Sequence, residues 1–170
     1  MIPVYSFKFS LNFSPEKKSS KFFQHSYTSQ SFHSKAYKPR NKYEPETIHV
    51  YMKHMNKRSM PVDVYKCGLV VYHREPTLAR TTEGKVNHPG CTKPFGLLEV
   101  KCPETKFLVT PLDACSDSNF CCENVDGLCK PKISHPYYAR VQGQMGITGV
   151  KWCDFVVYTK KEMSKERIPF

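Results

Sequence analysis

The sequence predicts an α/β core on a small sheet. Two observations predict it. Apolar residues recur at helical spacing in two stretches, residues 43–55 and 137–148, and short apolar strands lie between and after them. The resulting order is helix, strand, turn or short strand, strand, helix, strand, with no internal repeat.

The first helix starts near Tyr43. Ile48, Tyr51, Met52 and Met55 fall on one face, and Pro45 and Glu46 suit a first turn, where a missing N–H and a negative charge are tolerated. Met60-Pro61 closes the segment. Residues 62–72 alternate loosely and carry Val62, Val64, Val70 and Val71, which reads as a strand. Residues 80–86 and His88-Pro89-Gly90 read as turns. Residues 96–103 read as a short buried strand ended by Pro103, and residues 113–136 as a loop with four cysteines. In the second helix Tyr138, Val141 and Met145 share a face despite Gly143 and Gly146. Residues 152–159 are an apolar strand, and a return toward Ile168 pairs with it. Trp152 is expected to pack rather than to stack on a base. Cys102 and Cys153 fall in strands and are expected in the core.

At 170 residues the chain has the size of one domain, or of one domain with a tail. Residues 1–42 differ from the rest: they are rich in serine, lysine and aromatics and follow no sustained period. They read as a basic, disordered arm. This arm holds eight lysines and arginines against one acid, whereas residues 43–170 hold 18 against 14. Most of the net charge of +11 therefore sits on the arm. Such a surplus fits a polyanionic partner and equally a solvated basic surface. No apolar run nears the roughly 18 residues that span a bilayer, which argues against an integral membrane protein. No secretory signal is visible, and the eight cysteines fall below the density of a disulfide scaffold, so an intracellular, reduced protein is expected. Nucleus and cytoplasm are not distinguished.

The sharpest local feature is Glu99-Val100-Lys101. In a strand, residues i and i+2 share a face, so Glu99 and Lys101 point the same way. Such a pair is ordinarily a plain ion pair. Here it interrupts an apolar strand, between Leu97-Leu98 and Cys102-Pro103, and charge on a buried strand needs a reason. A divalent cation on carboxylate oxygens, with lysine serving the water it activates, supplies one. Further carboxylates are available at Glu83 and Glu44, although each alone reads as a solvated glutamate.

Four blocks of sequence together carry a resemblance: Tyr43-Glu44-Pro45; Thr82-Glu83-Gly84-Lys85-Val86; residues 94–103, with Glu99-Val100-Lys101-Cys102-Pro103 at their end; and residues 135–145, with Tyr137-Tyr138-Ala139-Arg140-Val141-Gln142. Over about residues 43–168 the chain resembles the YqaJ-type viral recombinase family, relatives of lambda exonuclease within the PD-(D/E)XK nuclease superfamily. The closing strand at residues 152–159 is similar to that of the metazoan, often transposon-associated members. The resemblance implies a restriction-endonuclease-like core over residues 43–170, an α/β fold with a small central mixed sheet flanked by helices. It also implies a Mg²⁺- or Mn²⁺-dependent deoxyribonuclease, typically an exonuclease on linear duplex ends in recombination, contacting DNA without sequence preference.

By that resemblance Glu83, Glu99 and Lys101 are catalytic. Glu44, Glu83, Glu99 and the backbone carbonyl of Val100 are metal ligands, and Tyr138, Arg140 and Gln142 face DNA. Two departures accompany it. The family's bridging aspartate is Glu83 here, one methylene longer. The first glutamine of its Q-V-Q pattern is Arg140, which either grips a DNA phosphate or pairs with Glu99 or Glu83 where a metal would lie. The second outcome makes a DNA-binding relative without cleavage. Of Tyr137 and Tyr138, one is expected to face nucleic acid and the other to pack on the sheet. Oligomeric state has no signature.

Cys115, Cys122, Cys129 and His135 form a C-x6-C-x6-C-x5-H series. It is open to a structural zinc, or to ordinary thiols in a loop that serves as an interaction surface, since the close ligand pairs usual for zinc are missing. The adjacent Cys121 and Cys122 are too strained to pair with each other.

Overall fold

The computed structural model describes residues 43–72 and 75–170. The expected basic arm at residues 1–42 lies outside the described residues.

Helix α1 (Glu44–Lys57) opens a domain built on a five-stranded mixed sheet. Its strands are β1 (Asp63–Tyr65), β4 (Gly84–Asn87), β5 (Phe95–Lys101), β8 (Trp152–Tyr158) and β9 (Met163–Pro169), in that spatial order. All neighbours are antiparallel except β5 and β8, which run parallel. The parallel pair needs a crossover, and helix α3 (Pro136–Thr148) supplies it.

The sheet is covered on both faces, so β5 and β8 read as continuous apolar runs. On one face Tyr51 and Met55 of α1 pack against Leu98, Val100, Trp152 and Val156. On the other, Val141 and Met145 of α3 pack against Leu97, Cys153, Phe155 and Val157. Both expected helices form. Tyr51 and Met55 lie on the buried face of α1, with Ile48 and Met52 half-buried beside them. Cys102 and Cys153 are buried as expected.

Three expectations change. The strand expected over residues 62–72 divides into β1 and β2 (Leu69–Val71), which belong to different sheets. The turn expected at residues 80–86 holds the end of β3 (Ala79–Thr81), a bend, and the start of β4. β3 pairs with β2, and β4 with β1 and β5, so partners out of sequence order decide both strands. The loop expected at residues 113–136 contains the end of a helical turn, α2 (Pro111–Ala114), and a hairpin, β6 (Cys122–Val125) and β7 (Leu128–Pro131). Asp126 and Gly127 both take positive φ at the hairpin tip, the conformation an Asp-Gly turn favours.

A buried ion cluster locks the α1 face. Asp154 is fully buried; Arg167 reaches it from β9 with Nε at 2.7 Å and a terminal nitrogen at 3.0 Å, and the Tyr51 hydroxyl donates from α1 at 2.6 Å. Arg167 also lies 3.7 Å from the Trp152 ring centroid. Trp152 packs directly over Gly96, and its indole N–H donates to the Lys93 carbonyl at 2.6 Å. The packing role expected for this tryptophan is the one it has.

Candidate active site

The α3 side of the sheet carries a second buried polar group. Strand alternation sets Glu99 and Lys101 on the same face as Leu97, toward α3, while Leu98 and Val100 face α1. Glu99 is fully buried, and Lys101 Nζ lies 2.5 Å from its Oε1. The side-chain alternation read from the sequence holds.

Glu83 arrives by strand register. Gly84 pairs with Leu98 in the antiparallel β4–β5 ladder, so the residue before Gly84 stands beside the residue after Leu98. Glu83 and Glu99 are hydrogen-bonded through their carboxyl groups. The glycine matters to this approach, since a Cβ at position 84 would stand 2.9 Å from Val64 Cγ1.

Burial, the hydrogen bond to Glu99 and that neighbour's charge push the Glu83 carboxyl up to about 8. Burial also works to raise Glu99. The hydrogen bond from Glu83 and the charges of Lys101 and Arg140 outweigh it and hold Glu99 below its ordinary value. Near neutral pH the pair therefore retains one shared proton.

Helix α3 supplies the remaining groups. The His135 side chain caps it, accepting from the Tyr137 N–H at 3.2 Å, and Pro136 fills its first position. Residues 137, 140 and 144 then line one face by their i, i+3, i+7 spacing. Gln144 is fully buried; its amide donates to Glu99 Oε2 at 3.2 Å and to the Thr81 carbonyl at 2.9 Å. Arg140 Nε lies 3.6 Å from Glu99 Oε1. The Tyr137 ring stands 4.4 Å from Lys101 Nζ.

The structure thus gathers Glu83, Glu99, Lys101 and Arg140, four of the residues singled out by sequence. Others lie elsewhere. Gln142 donates to the Pro169 carbonyl at 2.9 Å, because it projects from a different side of α3. Tyr138 packs against the apolar cluster on that face of the sheet, and Tyr137 is the tyrosine at the site. Glu44 lies in the first turn of α1, the helix on the opposite face. Among the described residues no group of three or more His, Cys, Asp or Glu side chains is placed to hold a metal ion, so Glu44 does not join the Glu83–Glu99 pair. Val100 lies past the end of the β4 ladder, which stops at Leu98, and its side chain faces α1.

By the same finding Cys115, Cys122, Cys129 and His135 are not placed as a zinc set, and His135 Nδ1 accepts from the Tyr137 N–H at the start of α3. Gln144 was missed by sequence. The signal was its spacing: it stands four residues after Arg140, on the same helical face, whereas Gln142 does not.

A divalent cation can be tested against this donor set. The Gln144 side-chain oxygen is a buried acceptor with no hydrogen-bond partner, and Glu83 Oε2 is buried with none besides the Glu99 carboxyl. Hard oxygens of this kind suit Mg²⁺, which is ordinarily held by one or two carboxylates together with water and substrate phosphates. The residues fit that mode, not an all-protein cage. Lys101 and Arg140 already supply positive charge on the Oε1 side of Glu99.

No protein-family model matches the chain, and no curated protein matches it in sequence. Among solved structures it is similar to the alkaline exonuclease LHK-Exo from Laribacter hongkongensis, and to LHK-Exo in complex with dAMP. Each comparison gives 27% identity and a TM-score of 0.51, covering 75% of this chain and 54% of the other. The chain spans about half the length of the structures it matches, and its mixed sheet flanked by helices is similar to an exonuclease fold.

Proposed function

We propose that this domain is a metal-dependent deoxyribonuclease core that hydrolyses DNA phosphodiesters, acting as an exonuclease on linear duplex ends in recombination. The observation that carries it is the Glu83–Glu99 pair with Lys101 beside it on a buried strand, in a chain similar to an alkaline exonuclease. YqaJ-type membership, sequence-independent DNA contact and an intracellular setting, nuclear or cytoplasmic, belong to the same proposal. Among the described residues no helix is long and apolar enough to cross a membrane.

Mg²⁺ or Mn²⁺, bound at Glu83, Glu99 and Gln144 with the Val100 carbonyl as a further candidate, would polarise the scissile phosphate and acidify water. The chain's own groups do the rest. Lys101 donates hydrogen bonds toward the attacking water and is itself oriented by Glu99 and Tyr137. Gln144 fixes Glu99 from the other oxygen, and Arg140 offers a permanent cation to a phosphate.

Digestion of end-labelled linear duplex with and without Mg²⁺ or Mn²⁺ tests the reading, beside Lys101→Ala. Metal-dependent products lost in the variant are expected. Equal products from both proteins would refute it. A second reading, DNA binding without cleavage, is favoured by one observation: Arg140 stands 3.6 Å from Glu99 Oε1, where a cation would compete. Salt-sensitive DNA binding with no cleavage in either metal would select it.

A further inference from the structure

Helix α3 brackets the Glu99 carboxylate. Gln144 donates to Oε2 at 3.2 Å, and Arg140, four residues earlier on the same face, has Nε 3.6 Å from Oε1. Lys101 Nζ meets Oε1 as well, at 2.5 Å. Both basic groups therefore crowd one oxygen, while the other meets the Gln144 amide, whose own oxygen is a buried acceptor without a partner. Arg140 Nε is buried too, and it has no hydrogen-bond partner among the described residues. A buried donor left unbonded is costly, so its place against Glu99 needs a reason. The side chain is 33% exposed although Nε is buried, so it runs from Glu99 to the surface.

We propose, building on the nuclease reading above, that Arg140 takes the place of a second divalent ion: the site accepts one Mg²⁺ or Mn²⁺, and the guanidinium itself grips the scissile phosphate.

The donor set supports a single ion. Two-metal sites hold their ions about 3.5–4 Å apart, and a carboxylate serving both is met on each of its oxygens. Here one oxygen of Glu99 already faces two basic side chains. The acceptors left for an ion are Glu83, the Gln144 oxygen and the other side of Glu99. Glu44 adds nothing, since no third acid joins the Glu83–Glu99 pair among the described residues. Two carboxylates beside Lys101 and Arg140 are formally neutral together, so a first divalent ion leaves a charge of +2 for the phosphate to offset. A second ion would raise it to +4 with no further carboxylate to meet it. Arginine suits the vacated role: it is charged at every working pH, and its planar fork donates two parallel N–H bonds to phosphate oxygens. The loose 3.6 Å approach to Glu99, with no hydrogen bond to break, leaves it ready to exchange that carboxylate for a phosphate.

The test counts ions and phosphate contacts separately. The full chain is titrated with Mn²⁺, and the bound ion is counted from loss of the free-ion electron paramagnetic resonance signal. Wild type should take up one Mn²⁺ per chain, Arg140→Lys one, and Arg140→Gln two. Glu83→Gln should lose the wild-type ion. In EDTA, binding of linear duplex DNA across a salt series should show a slope shallower by about 1 in Arg140→Gln, but not in Arg140→Lys. Two ions in wild type, one ion in Arg140→Gln, an ion that survives Glu83→Gln, or an unchanged salt slope in Arg140→Gln would each overturn the inference. If wild type cleaves DNA with two ions bound, the nuclease reading stands and only this inference falls. No Mn²⁺ uptake together with no cleavage would overturn both.

Discussion

Replacing Asp154 by alanine removes the one carboxylate that Tyr51, Arg167 and Lys165 share. The perturbation leaves the Tyr51 hydroxyl, on a fully buried side chain, without its 2.6 Å acceptor, and leaves Arg167 without its two-point partner. Lys165 Nζ, 3.7 Å from the same carboxylate, loses its counter-charge as well. Breaking a buried ion pair by deleting one member costs about 3–5 kcal/mol. The Arg167 side chain is 29% exposed and can turn partly to solvent, so the lower end applies, about 3 kcal/mol. That is a large part of the roughly 5–15 kcal/mol that stabilises a typical domain.

The assay is urea unfolding followed by the fluorescence of Trp152, the sole tryptophan, which lies against Arg167 and reports on this cluster. With a slope of about 1–3 kcal/mol per molar, the midpoint should fall by about 1–3 M urea with the slope unchanged. Asp154→Asn keeps an acceptor for Tyr51 while removing charge, and should fall between. A loss below about 1 kcal/mol for Asp154→Ala would refute the claim that this cluster clamps α1 and β9 to the sheet.

Three further outcomes follow from the same structure. The Glu83 carboxyl is raised from 4.5 to about 8 by burial first and then by Glu99. Between those values the unfolded chain has lost a proton that the folded chain keeps, so this group's contribution to stability falls as pH rises, by at most about 5 kcal/mol. Glu99, held low, adds stability above its unfolded value that is lost as pH falls through its folded one. Glu83→Gln should therefore flatten the fall between pH 5 and 8 relative to wild type in urea titrations, and an unchanged slope would contradict the shared proton. Gly96→Ala puts a methyl 2.3 Å from Trp152, which its bond to Lys93 and its contact with Arg167 hold in place; unfolding should show a loss of about 3 kcal/mol. Gln144→Ala strands Glu99 Oε2 and the Thr81 carbonyl and should lower both stability, by about 1–3 kcal/mol, and DNA cleavage, whereas Gln142→Ala should spare cleavage; equal losses in the two would remove Gln144 from the site.

Helices α1 and α3 and strands β5 and β8 were legible in the sequence, because each buries a face whose period is local: Tyr51 with Met55, Val141 with Met145, and the runs on either side of Glu99 and Asp154. The shared face of Glu99 and Lys101 was legible for the same reason. The β6–β7 hairpin had a readable signal in Asp126-Gly127 that the surrounding cysteines and polar residues obscured. β3 had none, and β2 was legible only as part of one longer strand, since three-residue strands take their stability and their pairing from a partner and not from their own pattern.

The sequence by itself determined which residue types could do chemistry and on which side of their own strand or helix they would stand. Tertiary structure alone decided which of them meet. Antiparallel register brought Glu83 to Glu99, the position of α3 chose Gln144 and Tyr137 over Gln142 and Tyr138, and the placement of α1 behind the sheet set Glu44 apart. Period is a property of neighbouring residues, but a buried carboxylate pair is made by strands joined through long-range pairing, and that information lies in the packing of the whole domain.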